Sequence, residues 1–188
     1  IFAYGGTPSY VSMSNLVSNV GVVGTDVSGV GTARGYLGAA TYGSTGQAIF
    51  GYGTTGSTTA VTNLVSNVGV VAADVSGVGT ARNGLAATSY GTDKAIFGYG
   101  TTGSFVSMTN LVNNSGVVAA DVTGVGSVRA YLAAAGYGGD KAIFGYGYTG
   151  SNTAITNLVN NSGVVATDVT GVGTARRGLE AAGYSLSA

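Results

Sequence analysis

The sequence predicts an all-β fold, a β-propeller of four repeated units with four short strands in each, and three observations carry that expectation. The segment Ile49-Phe50-Gly51-Tyr52-Gly53 returns at 96–100 and 143–147, with the variant IFAYG at 1–5. Phe2, Phe50, Phe97 and Phe144 follow one another at 48, 47 and 47 residues, and Arg34, Arg82, Arg129 and Arg176 keep the same three intervals. Composition is the second observation. Thirty-five glycines, one proline and an abundance of Val, Thr, Ser, Asn and Tyr suit short strands joined by tight turns, because glycine supplies the positive φ that such turns need. The third is a turn signal at roughly every ten residues inside each unit. The 188 residues form a single repeat domain, with units at approximately 1–48, 49–95, 96–142 and 143–188, and no stretch remains for a second domain.

The elements of one unit follow from the second repeat. AIFGYG (48–53) is an apolar run closed by glycines, hence a strand and a turn. After the loop TTGSTT comes AVTNLV, in which Val61, Asn63 and Val65 alternate with Ala60, Thr62 and Leu64. The tetrapeptide Ser66-Asn67-Val68-Gly69 then turns the chain into VVAADV, so the two runs read as a hairpin. SGVGTAR leads into GLAATSYG, the fourth strand, which returns through GTDK to the next AIFGYG. A period near 47 also suits helical-pair solenoids, but each candidate helix here carries two or more glycines at roughly 1 kcal/mol apiece, and the rest is β-branched. Four strands in so long a unit favour a propeller over a β-solenoid, whose coils are shorter.

The stretch TARNGLAATSYGTDKAIFGYG (80–100) resembles the kelch repeat, in which an Arg precedes a small-residue strand, a turn, four apolar residues and a glycine pair. The resemblance runs through all four units. The glycine pair is Gly-Tyr-Gly in three of them, and Leu64 and Val71 stand where kelch units carry Tyr and Trp. The units are also similar to repeats in virion and tail-fibre proteins of bacteriophages, which implies a surface appendage. In kelch blades the strand after the Arg lies innermost and the glycine-pair strand comes second. By that resemblance the chain starts on a second strand, IFAYG, and ends on an innermost one, LEAAGYSLSA. Residues 179–184 are therefore expected to pair beside residues 1–5, in the same chain or a neighbour, latching the ring. Kelch rings usually have six or seven blades, so four units imply a small ring, half of an eight-bladed dimer, or part of a longer chain. The opening on Ile1 rather than Met fits a processed product, a fragment, or a sequence without its leader.

Charge and residue types exclude several functions. Seven basic and seven acidic side chains give zero net charge, so no basic face is expected to bind nucleic acid or a membrane surface. No apolar run reaches the roughly 18 to 20 residues of a membrane span. Without Cys there are neither disulfides nor thiolate metal sites, and without His the usual base for a Ser or Thr nucleophile is missing. The carboxylates recur once per unit apart from Asp93, Asp140 and Glu180, and no lone close pair suggests glycosidase chemistry. The expectation is a protein that is not an enzyme and takes no cofactor or metal.

Four motifs need weighing. Glycines 51, 53 and 56 spell G-x-G-x-x-G after a strand, as do 98, 100, 103 and 145, 147, 150. A dinucleotide site needs a helix next, whereas threonine-rich β sequence follows, so these read as turns. DVSGVG lacks the alternating oxygen ligands of a calcium loop. Asn113-Asn114-Ser115 and Asn160-Asn161-Ser162 match N-x-S but also an ordinary hairpin turn, and Lys94 and Lys141 follow an aspartate in turns. Asp26, Asp74, Asp121 and Asp168 stand eight residues before Arg34, Arg82, Arg129 and Arg176. Placement in every unit points to structural pairs tying each blade to its loop or neighbour, against a ring of charges at a channel mouth.

Variation between units carries the functional signal. Position 10 is Tyr, with equivalents Thr58, Phe105 and Asn152, while position 36 is Tyr, with equivalents Gly84, Tyr131 and Gly178. Aromatics thus go together in the odd units, as Tyr10 with Tyr36 and Phe105 with Tyr131, and these four form the candidate ligand or contact surface. A flat apolar face with a polar edge stacks on sugars and proteins at low entropic cost; packing of a loop is the alternative. The expected function is a structural or binding module of a virion appendage or an extracellular assembly, the alternative a carbohydrate-binding lectin whose loops TPSYVSM, TTGSTT, TTGSFV and YTGSNT form repeated pockets. The expected partners are further copies of the chain or other particle proteins, because a weakly charged surface has little repulsion to keep copies apart, and a glycan as ligand.

Overall fold

The structure, a computed structural model, describes residues 1–184, and among them it is entirely β. The strands are β1 (Phe2–Ala3), β2 (Ser14–Asn15), β3 (Gly38–Tyr42), β4 (Gln47–Gly51), β5 (Thr62–Val65), β6 (Ala86–Tyr90), β7 (Lys94–Gly98), β8 (Thr109–Val112), β9 (Ala133–Tyr137), β10 (Lys141–Tyr148) and β11 (Asn152–Val159). They form four separate antiparallel sheets: β1-β2, β3-β4-β5, β6-β7-β8 and β9-β10-β11. The sheets share one register, with Phe50 opposite Asn63, Phe97 opposite Asn110 and Phe144 opposite Asn157.

The leading strands carry the small-residue runs, and the absence of bulk lets them approach. β3 packs beside β6 and β6 beside β9. Backbone bonds tie one unit to the next before these strands, where Gly84 N donates to Tyr36 O at 3.0 Å, Tyr131 N to Gly84 O at 2.7 Å and Gly178 N to Tyr131 O at 2.9 Å. A second set ties them after the strands, with Gly43 N on Asp93 O and Gly91 N on Asp140 O, both at 2.7 Å.

The apolar core lies between units. Tyr4 meets Phe50 edge-on at 5.4 Å between ring centres, Tyr52 meets Phe97 at 5.1 Å and Tyr99 meets Phe144 at 5.2 Å. Each repeated Tyr is thus the socket for the Phe of the following unit. Stability is shared out joint by joint, as in other repeat arrays. The Tyr-Gly turn that sets up the socket is strained: Tyr52 has φ 63° and Gly53 φ 106°, and Tyr4, Tyr99 and Tyr146 adopt the same left-handed conformation. Each of these Tyr hydroxyls donates to a valine carbonyl further along, for example Tyr52 to Val78 O at 3.0 Å.

Two expectations need correction. The segment VVAADV is not a regular strand: its contact with β5 is reduced to the bridges Val65↔Val71 and Thr62↔Val75. The reason is Asn63, whose Nδ2 donates to Ala72 O at 3.0 Å and Asp74 Oδ1 at 2.9 Å, filling the space between the bridges that ladder bonds would occupy. Asn110 and Asn157 repeat the arrangement. The three larger sheets are therefore three-stranded, each formed by the last strand of one unit and the first two of the next. Second, β1 pairs with β2 alone, and residues 179–184 form no strand, so the two ends of the chain are not latched together. The latter segment lies instead along β9, where Gly183 comes close to the Gly136 carbonyl. The continuation of LEAAGYSLSA to Ala188 lies outside the described residues.

Candidate functional site

Two arrangements of side chains stand out: a polar joint repeated between units, and one aromatic cleft. The joint begins with an arginine. Arg82 is fully buried, with its guanidinium 4.2 Å from the centre of the Tyr52 ring. Nε donates to Tyr99 O at 2.8 Å, Nη1 to Thr80 O at 3.1 Å and Nη2 to Asn110 Oδ1 at 2.7 Å. Tyr52 belongs to one unit, Tyr99 and Asn110 to the next, so the arginine is a cross-tie. The turn strain at Tyr99 serves it by aiming that carbonyl at Nε. Arg34 and Arg129 are equally buried and repeat the Nε bond, to Tyr52 O and Tyr146 O at 2.9 Å each.

The aspartates take the other side of the joint. Asp121 accepts from Thr80 N at 3.0 Å, from Thr80 Oγ1 at 2.6 Å and from Asn110 Nδ2 at 2.9 Å. Asp74 does the same with Thr32 and Asn63, and Asp168 with Ser127 and Asn157. Burial works to raise these carboxyls, but the hydrogen bonds from Thr32, Thr80 or Ser127 and from the Asn outweigh it and hold all three below the ordinary carboxylate range. Burial also pushes the Tyr52 phenol up to about 12, against the opposing charge of Arg82.

The pairing therefore differs from the within-unit pair that the spacing suggests. Asp74 does not meet Arg82; Arg82 faces Asp121 of the following unit at 4.0 Å. The charge eight residues away in sequence points across the opposite joint. Sequence reasoning also passed over Asn15, Asn63, Asn110 and Asn157, each of which donates to the Asp of its own unit; Asn110 alone also accepts from an arginine, Arg82. Their recurrence at the intervals of the arginines was the available signal.

The aromatic cleft is lined by Tyr36 of the first unit, Thr101, Phe105 and Tyr131 of the third, and Tyr148, Arg177 and Gly178 of the fourth. Three of the four candidate aromatics, Tyr36, Phe105 and Tyr131, meet there. Tyr10 does not: its ring lies over Gly35 and lines a separate depression with Thr7, Pro8 and Ala33. Phe105 meets Tyr148 edge-on at 5.7 Å, and Arg177 caps the Tyr148 ring at 4.1 Å. Tyr36 (φ 53°) and Tyr131 (φ 57°) hold left-handed backbone at a position where the other units use Gly84 (φ 60°) and Gly178 (φ 65°). A large side chain at a glycine-type position costs about 1–2 kcal/mol, and such strain marks sites where the side chain has a use. Tyr36 is also 63% exposed.

The remaining motifs are turns. Gly51 ends β4, and Gly53 and Gly56 belong to a tight loop in which Thr55 N donates to Ser57 O at 3.0 Å; no helix follows. Asn113 Oδ1 accepts from Ser115 N and Val117 N at 2.9 Å each, closing the β8 hairpin. Lys94 and Lys141 open β7 and β10 and pair with Asp93 and Asp140 of the preceding turns at 2.7 and 2.9 Å, all four half-buried. No group of three or more acidic side chains is placed to hold a metal among the described residues. A scan against protein-family models finds no match for the chain, and a search of curated proteins finds none similar to it.

Proposed function

We propose that this protein is a non-enzymatic structural and binding module of an extracellular or virion assembly, with its units acting as kelch-like propeller blades. One observation carries the reading: the recurring charged groups are spent between units. Arg34, Arg82 and Arg129 are buried with Nε and Nη1 on backbone carbonyls, and Asp74, Asp121 and Asp168 accept from the preceding connector. Groups so used hold an array together and are not presented to a substrate. Antibody labelling of particle and cell-surface fractions from the source tests the location. Label on the particle or exterior is expected, and label confined to the cell interior overturns it.

A second reading, a carbohydrate-binding module, is favoured by the cleft. Exposed tyrosines held at a strained backbone position, with Phe105 and Tyr148 beside them and Arg177 as a donor, suit a sugar ring stacked on an aromatic face. Glycan-array binding followed by titration tests it. The expected outcome is saturable binding that Tyr131→Ser weakens at least tenfold, with the ligand recovered intact. Release of a cleaved product would replace a binding module by an enzyme, and no saccharide binding would remove this reading.

A further inference from the structure

The three joints between units are alike, and the first and last units each present half of a fourth. Each joint combines a Tyr ring capped by an arginine and met by the next unit's Phe, a Thr or Ser hydroxyl donating to the next unit's Asp at 2.6 Å, and an Arg Nε on the next unit's Tyr carbonyl. On the last unit the donor half is already formed. Arg176 stands over the Tyr146 ring at 4.1 Å with Nη1 on Thr174 O at 3.1 Å, matching the internal joints, yet Arg176 is exposed where the other three arginines are fully buried. On the first unit the acceptor half is formed too. Asn15 Nδ2 already donates to Asp26 Oδ1 at 2.8 Å, as in the internal pairs, while Asp26 has no Thr or Ser donor among the described residues. Phe2 is 63% exposed, against 6%, 0% and 0% for Phe50, Phe97 and Phe144.

We infer that the protein associates head to tail with a second copy of itself, Phe2, Asn15 and Asp26 of one copy docking on Tyr146, Thr174 and Arg176 of the other. The occupant follows from complementarity at every point. The socket of Tyr146 receives Phe2, the Thr174 hydroxyl donates to Asp26 and Arg176 Nε donates to the Tyr4 carbonyl, the contacts that all three internal joints make. Both halves are held by contacts within their own unit, so little side-chain ordering is left to oppose binding. Such a contact uses different patches on the two copies, and it closes into a ring if its rotation allows or otherwise extends as a filament. This deepens the assembly part of the proposed function and is independent of the aromatic cleft.

Light scattering after size exclusion tests it, with two single variants at exposed positions. Asp26→Lys removes the acceptor half only and Arg176→Ala the donor half only. Wild type is expected to associate with rising concentration, and each variant alone to lose this by on the order of a hundredfold in dissociation constant. A mixture of the two is expected to form a one-to-one dimer that grows no further, because each retains the half the other lacks. Phe2→Ser and Thr174→Ala serve as a second pair, and unchanged circular dichroism certifies folding. A monomeric wild type over the whole concentration range, a single variant that associates as wild type does, or a mixture that stays monomeric each overturns the inference. Saccharide binding measured on the same variants should be unchanged, which separates failure of this contact from failure of the cleft reading.

Discussion

Arg82→Ala and Arg176→Ala make the same chemical change at equivalent positions in different surroundings, and the difference between them measures a joint. At position 82 the substitution leaves the Tyr99 carbonyl and the Asn110 Oδ1, both inside the joint, without their donors, at about 1–3 kcal/mol each. It also removes the guanidinium from the Tyr52 ring, worth about 1–2 kcal/mol when desolvated, and leaves Asp121 facing no cation. These contributions overlap, and breaking a buried charged contact typically costs about 3–5 kcal/mol in total. At about 2–4 °C per kcal/mol for a chain of this length, the midpoint of thermal unfolding should fall by about 6–20 °C. Arg176→Ala, measured in dilute solution where the chain is monomeric, removes an exposed side chain and should shift the midpoint by no more than about 2 °C. Scanning calorimetry on the two variants is the assay. Equal shifts for both, or an Arg82→Ala shift as small as that expected for Arg176→Ala, would refute the view that inter-unit arginines hold the array together.

A methyl added at Gly79 runs into Asp121 Oδ1 and Asn110 Nδ2, whereas one at Gly173 meets only the Tyr146 hydroxyl at 3.5 Å; both have positive φ, so Gly79→Ala should lower the urea midpoint well beyond Gly173→Ala, and equal effects would count against close joints. Acid should weaken the fold: with Asp74, Asp121 and Asp168 held below the unfolded value near 3.9, their contribution is complete above about pH 4 and is lost as pH falls through the lower folded values. At the alkaline side, Tyr52 is held protonated up to about 12 in the fold but ionises near 10 when unfolded, so stability falls as pH rises from about 10 to 12, and Tyr52→Phe should flatten that limb in a pH series of denaturation curves. Tyr36→Gly relieves a left-handed tyrosine and should raise stability by about 1 kcal/mol while weakening saccharide binding; a loss of stability would show that the ring is there for packing.

Much of this molecule is legible from its sequence because a repeat states each rule several times. The period, the all-β class, the AIFGYG strand and its Tyr-Gly turn, and the small-residue leading strands could be read from glycine placement and alternation, which are local properties of the chain. The clustering of Tyr36, Phe105 and Tyr131 was also within reach, since aromatic replaced small in a consistent pattern across units. Partners across the joints were not. Asp74 and Arg82 are close in sequence, yet the fold sends one back to Thr32 and the other forward to Asp121, because a short loop separates their directions while the leading strands bring neighbouring units into contact. The VVAADV strand does not form, for a related reason: alternation places Asn63 as an ordinary ladder residue, but its amide takes the bonds that strand would have made. Local pattern determines which element each residue joins. Only the packed array decides which residue it meets, because a hydrogen bond or an aromatic contact depends on position in space and is blind to distance along the chain.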